Sequence, residues 1–143
     1  MTVPTALIPC LRYADAPGAI EFLRAAFGFE VQAVHADPAD ASVVLHAQLL
    51  LGGHMVMLGS DRAGPTRDRF RWMLPSQAGG ITMCVYVVID DVDAHCARAR
   101  AAGAEILDEP HDNEGYAGRG YEARDPGGHV WSFGSYDPYA DPA

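Results

Sequence analysis

Two side chains with useful chemistry, His46 and Tyr121, stand 75 positions apart, and this separation recurs elsewhere in the chain. An imidazole that titrates near neutral pH and a phenol could act as an acid–base pair or as hydrogen-bonding contacts for a ligand. Both could equally be buried side chains that are hydrogen-bonded inside the protein. We predict that they contact a ligand from equivalent positions in one cavity.

The cysteines Cys10 and Cys84 lie within two apolar segments, residues 5–13 and 81–89. With His46 or Met57 they could form a soft-metal site, or one of them could be a reactive thiolate. The alternative is that both are small apolar residues used for packing, which is the common role of free cysteine. No basic residue is placed reliably beside either thiol, so packing is the favoured interpretation.

The other histidines are weaker candidates. His54 and His129 each follow a Gly-Gly pair, which suggests either a pair of metal ligands or, as we favour, an inherited turn. His35, His95 and His111 fall on a strand end, a helix and a polar loop, and we predict that all three are solvated.

Residues 109–119 form a polar loop that contains Tyr116 and Arg119. Loops that border a cleft often determine which ligand is bound. Arg119 would suit an anionic or carbonyl group, because guanidinium groups donate strong, directed hydrogen bonds. The alternative is a surface loop with an incidental arginine.

An internal repeat indicates which elements position these residues. Residues 15–31 align with residues 90–106 at an offset of 75, and residues 52–60 align with residues 127–135 at the same offset, with five of nine positions identical. Two separate blocks that agree on one offset indicate duplication of a module of about 55 residues.

Each copy has the pattern of a strand, a helix and three further strands. An apolar strand precedes an aspartate that can cap the helix, and a glycine follows the helix, as is typical of helix ends. The sequence therefore predicts one α+β domain, residues 1–143, with two tandem βαβββ modules. The predicted strands are residues 5–13, 30–35, 43–51 and 54–58 in the first module (4–60), and 81–89, 105–107, 119–124 and 129–133 in the second (81–135), with a linker at 61–80 and a tail at 136–143.

Composition excludes several classes of function. A formal net charge of −9 disfavours nucleic acid as a partner, and the absence of lysine excludes Schiff-base chemistry on a side-chain amine. No apolar run is long enough to cross a membrane, no secretory signal precedes the first strand, and three scattered cysteines do not form a disulfide framework. We therefore expect a cytoplasmic protein without a membrane partner.

Residues 88–94 and 121–134 resemble the vicinal oxygen chelate superfamily, which includes glyoxalase I, bleomycin-resistance proteins and extradiol dioxygenases. The resemblance implies that the paired modules form a curved, cleft-enclosing mixed sheet and that the protein is a homodimer. It also implies that the loop containing Tyr116 and Arg119 borders the pocket.

The resemblance implies metal ligands on the first and last strands of each module, at Ile8, Met57, Cys84 and Ser132. None of these is a carboxylate or an imidazole, the groups from which such metal sites are usually built. A shift that placed Pro9 or Cys10 at the first position would add no carboxylate. We therefore predict no metal and no cofactor.

The leading hypothesis is a protein that binds an unidentified small molecule in its cleft without the usual metal. One alternative is a lyase, isomerase or dioxygenase with non-standard ligands, or a metal-free enzyme that uses His46 and Tyr121 as acid and base. Another is a dimeric interaction module with a collapsed cavity. The predicted cleft residues are His46, Tyr121, Cys84, Met57, Ser132, Tyr86, Tyr116 and Arg119.

Overall fold

The computed structural model describes residues 2–140, so the last three residues of the predicted tail lie outside the described part of the chain.

In the first module, Asp15 caps the helix by accepting a hydrogen bond of 3.0 Å from the backbone N–H of Gly18, and Gly28 ends it in the left-handed conformation at φ 86°. The elements are β1 (Cys10–Tyr13), α1 (Ala16–Phe22) with a π-helical turn (Leu23–Phe27), β2 (Glu30–Asp37), β3 (Asp40–Leu51) and β4 (His54–Ser60).

The linker contains two short helices, α2 (Pro65–Phe70) and α3 (Pro75–Ala78), each of which begins at a proline. The second module repeats the order of the first, and Asp91 caps its helix by accepting from the backbone N–H of Ala94 at 3.0 Å. Its elements are β5 (Val85–Val88), α4 (Val92–Ala101), β6 (Glu105–Asp112), β7 (Arg119–Arg124) and β8 (Val130–Gly134). Within residues 2–140, no helix is long and apolar enough to span a bilayer.

The two modules form separate four-stranded sheets with the same topology. The strand orders are β1-β4-β3-β2 and β5-β8-β7-β6, with the first strand of each module parallel to the last and the other pairs antiparallel. The predicted α+β fold with two βαβββ modules and mixed sheets is confirmed. Strands β1 and β5 are shorter than predicted, because their ladders with β4 and β8 start only at Cys10 and Val85.

The segment between the capping aspartate and the left-handed glycine is one residue longer in the first module than in the second. Asp15 and Asp91 are 76 positions apart, whereas Gly28 and Gly103, the left-handed glycines after the helices, are 75 apart. A π-helical turn holds one residue more than the same length of regular α-helix, so it accommodates the additional residue without displacing the strand that follows. The repeat is therefore not free of gaps.

One hydrophobic core is shared by both modules. Helix α4 packs against the π-helical turn, and Phe27, at the end of that turn, is only 1% exposed. Its ring centroid lies 5.5 Å from that of Trp131 and 4.7 Å from that of Phe133, both on β8. The aromatic contacts of Phe27 therefore join the first helix to the second sheet.

A buried carboxylate forms a second connection between the modules. Asp125, in the turn between β7 and β8, is 3% exposed and accepts hydrogen bonds from Tyr13 Oη at 2.6 Å and Trp131 Nε1 at 3.0 Å. It also accepts from the backbone N–H groups of Gly127 and His129. Burial, followed by the charge of Asp125, raises the pKa of Tyr13 far above its ordinary value, so the phenol remains a donor.

Candidate functional site

Each sheet has one face covered by helices and one open face, and strand register defines the open faces. In the first module, Met57 lies opposite both Cys10 and Gln48. In the second module, Ser132 lies opposite both Tyr86 and Glu122. The residues between these positions, such as Leu58 and Phe133, are buried in the core. We call the Met57 side and the Ser132 side the open faces of the two modules.

These registers correct two of the four positions at which the resemblance implies metal ligands, which we call the central positions. The sequence placed Ile8 and Cys84 at those on the first strands, but both residues precede the strands. Cys10 and Tyr86 occupy the positions beside Met57 and Ser132 instead. The predicted face was right and the position was wrong by two residues, because each first strand begins later than the apolar run indicated.

A cavity of about 150 Å³ opens on the second module. We call it the tyrosine pocket, because Tyr86, Tyr116 and Tyr136 line it together with Glu122 and Ser132. The Tyr86 hydroxyl donates to the backbone carbonyl of Tyr136 at 2.7 Å, and the rings of Tyr116 and Tyr136 meet edge to face at 5.1 Å. The structure thus brings together four residues of the predicted set, Tyr86, Tyr116, Arg119 and Ser132.

Glu122 is the polar residue of this pocket that the sequence did not identify. It lies on the open face of β7, and no hydrogen bond or ion pair to its carboxylate occurs among residues 2–140. Burial, followed by the nearby charge of Asp108, raises the pKa of Glu122, and His111 partly opposes the shift. Raised carboxyl pKa values are common at functional sites.

Tyr121 does not lie on the open face. It is fully buried, and its hydroxyl donates to Nδ1 of His95 at 2.6 Å, while Nε2 of His95 donates to the carbonyl of Phe27 at 3.2 Å. The predicted equivalence of His46 and Tyr121 is wrong by one residue, because Ala47 and Tyr121 have the matching partners in the two ladders. The prediction that His95 is solvated is also wrong.

We expect His95 to make stability depend on pH. Burial is the largest cause that lowers its pKa below 6.5, and Arg98 also lowers it, although the hydrogen bond to Phe27 opposes the shift. At acidic pH the unfolded chain therefore binds a proton at His95 that the folded protein excludes. The contribution of neutral His95 to the free energy of unfolding is complete above pH 6.5 and is lost as the pH falls through and below that value.

Proton NMR should show the His95 ring titrating below 6.5. Urea unfolding at about pH 7.5 and about pH 5.5 should show a smaller pH dependence in His95→Phe than in the wild type. An equal pH dependence in the two proteins would contradict the prediction.

Arg119 borders the tyrosine pocket, but its charge is already paired. Its Nε and Nη2 donate to Asp93 on α4 at 3.1 and 3.0 Å, and its Nη1 donates to Asp112 at 2.9 Å. Arg119 therefore does not present a free guanidinium to an anionic ligand.

His46 and Met57 lie on the open face of the first module. His46 Nε2 donates to Oε1 of Gln48 at 2.9 Å. The imidazole rings of His46 and His35 are stacked, with their centroids 6.1 Å apart. Neither residue lines the tyrosine pocket. The structure thus separates these two residues from the four predicted residues that line the tyrosine pocket.

Cys84 lines a different cavity, of about 300 Å³, which we call the linker cavity. Cys10 lines it as well, together with Trp72 and Met73 of the linker and Met83. The guanidinium carbon of Arg12 lies 4.9 Å from the centroid of the Trp72 ring, and this cation–π contact holds the linker against β1. Among residues 2–140, no group of three His, Cys, Asp or Glu side chains could hold a metal ion.

The four central positions do not fit the metal site that the resemblance implies. They hold the thiol of Cys10, the thioether of Met57, the phenol of Tyr86 and the hydroxyl of Ser132. Sites for zinc, manganese or iron are built mainly from imidazole and carboxylate groups, which this set lacks.

A family model described as Glyoxalase/Bleomycin resistance protein/Dioxygenase superfamily matches residues 5–133. The chain is 34% identical over 135 residues to Uncharacterized protein Mb0911c of Mycobacterium bovis, covering 94% of this chain and 85% of that protein. Among solved structures, TioX from Micromonospora sp. ML1 is similar at 34% identity and a TM-score of 0.66, covering 91% of this chain and 94% of TioX. A second solved structure is a mutant of the fosfomycin resistance protein FosX from Listeria monocytogenes, complexed with Mn(II) and 1S,2S-dihydroxypropylphosphonic acid. It has a TM-score of 0.70 at 14% identity, and the match covers 99% of this chain and 100% of FosX. FosX therefore shares the fold.

Proposed function

Because the chain belongs to the glyoxalase/bleomycin resistance protein/dioxygenase superfamily, we propose that it binds an organic small molecule without the metal site of its relatives. The proposal rests on the side chains at the four central positions, Cys10, Met57, Tyr86 and Ser132. They offer apolar contacts and neutral hydrogen-bonding groups, which suit ligand binding better than coordination of a divalent cation.

We further propose that the binding unit is a homodimer. The linker cavity includes Cys10 and the tyrosine pocket includes Tyr86 and Ser132, whereas Met57 lines neither, so neither cavity of one chain contains all four central positions. Apolar side chains on and before β5 are also exposed, with Met83 at 61% and Val88 at 46%. A second copy whose first module covers the second module's open face would bury these groups and complete a cleft.

The alternatives have less support. A metal-free enzyme that used His46 and Tyr121 would need both side chains in one cavity, but Tyr121 is in the core. An interaction module with a collapsed cavity is disfavoured by open spaces of about 300 and 150 Å³. We also infer cytoplasmic residence, because three scattered cysteines suit a reducing compartment.

Purification without added metal should yield protein with far less than one transition-metal ion per chain by elemental mass spectrometry. Native mass spectrometry of the same sample should show dimers, with any co-purified organic molecule released on denaturation. A stoichiometric ion that is retained through dialysis and lost in Ser132→Ala would contradict the proposal. Stable monomers at micromolar concentration would contradict the dimer.

A further inference from the structure

We infer that the tyrosine pocket receives a cationic group of the ligand, such as a substituted ammonium. This inference rests on the proposed function and specifies one end of the ligand. The juxtaposition that carries it is the partly buried carboxylate of Glu122, which has no hydrogen-bonding or ion-pair partner within residues 2–140, in a pocket lined by three tyrosines.

The charges around the pocket favour a cation over an anion. Arg119 is bound to Asp93 and Asp112, so its positive charge is compensated. His111 donates from Nδ1 to the carbonyl of Glu109 and lies 3.6 Å from Asp108, so a carboxylate also faces that ring. Glu122 has no direct hydrogen-bonding or ion-pair partner among residues 2–140, although the nearby His111 partly opposes the rise in its pKa. A ligand cation would supply the missing one, and charged hydrogen bonds are stronger than neutral ones.

The tyrosines suit the same kind of group. Tyr86 and Tyr116 are 43% and 51% exposed, so parts of their rings are available to a ligand. The Tyr116 ring is held edge to face against Tyr136, and the Tyr86 hydroxyl is held by the Tyr136 carbonyl, which positions both rings at the pocket. Aromatic faces attract ammonium groups through their electron-rich surfaces.

The size of the pocket limits what enters it. Its volume of about 150 Å³ is below the roughly 300 to 1,000 Å³ that is usual for whole drug-sized ligands. It can therefore hold a headgroup, and the remainder of the ligand would extend along the open face past Ser132. The chain's net charge of −9 would favour the approach of a cation.

The test compares choline with its neutral isostere 3,3-dimethylbutan-1-ol, using amide NMR shifts of the wild-type protein. Choline should shift the amides of Tyr86, Glu122 and Ser132 and bind at least about tenfold more tightly than the isostere. Glu122→Gln should weaken choline binding about tenfold and leave binding of the isostere unchanged. Glu30→Gln removes an equal charge at the exposed start of β2 and should change neither.

Equal affinity for the two probes, or an unchanged choline affinity in Glu122→Gln, would overturn the inference, as would the absence of pocket shifts with either probe. Urea midpoints of the variants show whether they remain folded. A neutral co-purified molecule in the cleft would leave the proposed function standing while the cation inference failed. An empty, collapsed cleft that binds neither a co-purified molecule nor a probe would remove both.

Discussion

Phe27→Ala is expected to lower the free energy of unfolding by about 3 to 5 kcal/mol, the usual cost of truncating a buried phenylalanine. The ring is 1% exposed and contacts Trp131 and Phe133 of the other module. Its removal opens a cavity where the modules meet, and the rigid rings around it cannot close that space fully.

Urea unfolding followed by tryptophan fluorescence measures the effect. Phe70→Ala is the matched control, because that ring is 62% exposed in the linker, and its loss should change stability by no more than about 0.5 kcal/mol. If Phe27→Ala cost no more than this control, the shared core would not hold the modules together as we describe.

Asp125→Ala is expected to lower the free energy of unfolding by about 2 to 4 kcal/mol. The substitution leaves the buried donors Tyr13 Oη and Trp131 Nε1 without an acceptor, and each such loss costs about 1 to 3 kcal/mol. The turn also loses the acceptor of the Gly127 and His129 N–H groups.

Asp125→Asn should cost less, because the amide retains one acceptor oxygen. Glu114→Ala, which removes an exposed carboxylate, should cost no more than about 0.5 kcal/mol. A double-mutant cycle with Tyr13→Phe isolates the connection between the modules and should give a coupling of about 1.5 kcal/mol or more. Additive losses would show that the carboxylate stabilises only its own turn.

The sequence predicted the modules because the helix boundaries and turns depend on local signals. Aspartate caps and left-handed glycines act within a few residues, and both survive in each copy at Asp15, Asp91, Gly28 and Gly103. The start of β1 was harder to predict, because it depends on the ladder with β4, whose first pair is Cys10 with Met57, and not on the apolar run itself.

The lining of the tyrosine pocket was predicted in part, and ligand binding there stays a prediction. Tyr86, Tyr116, Arg119 and Ser132 line the pocket. Glu122 was missed, because a constant offset of 75 made Tyr121 the equivalent of His46. The third strands are related by 74 positions, and the longer turn after Asp125 restores 75 in the last strands. Since strand side chains alternate, a slip of one residue exchanges the core for the open face.

The shared core also bears on how the chain arose. A lone ancestral βαβββ unit would have presented to solvent the aromatic surface that Phe27 and Trp131 now cover for one another. Such a unit would have been poorly soluble on its own and prone to self-association through this surface. In the present chain the two modules are joined covalently, so the same contact forms within one molecule.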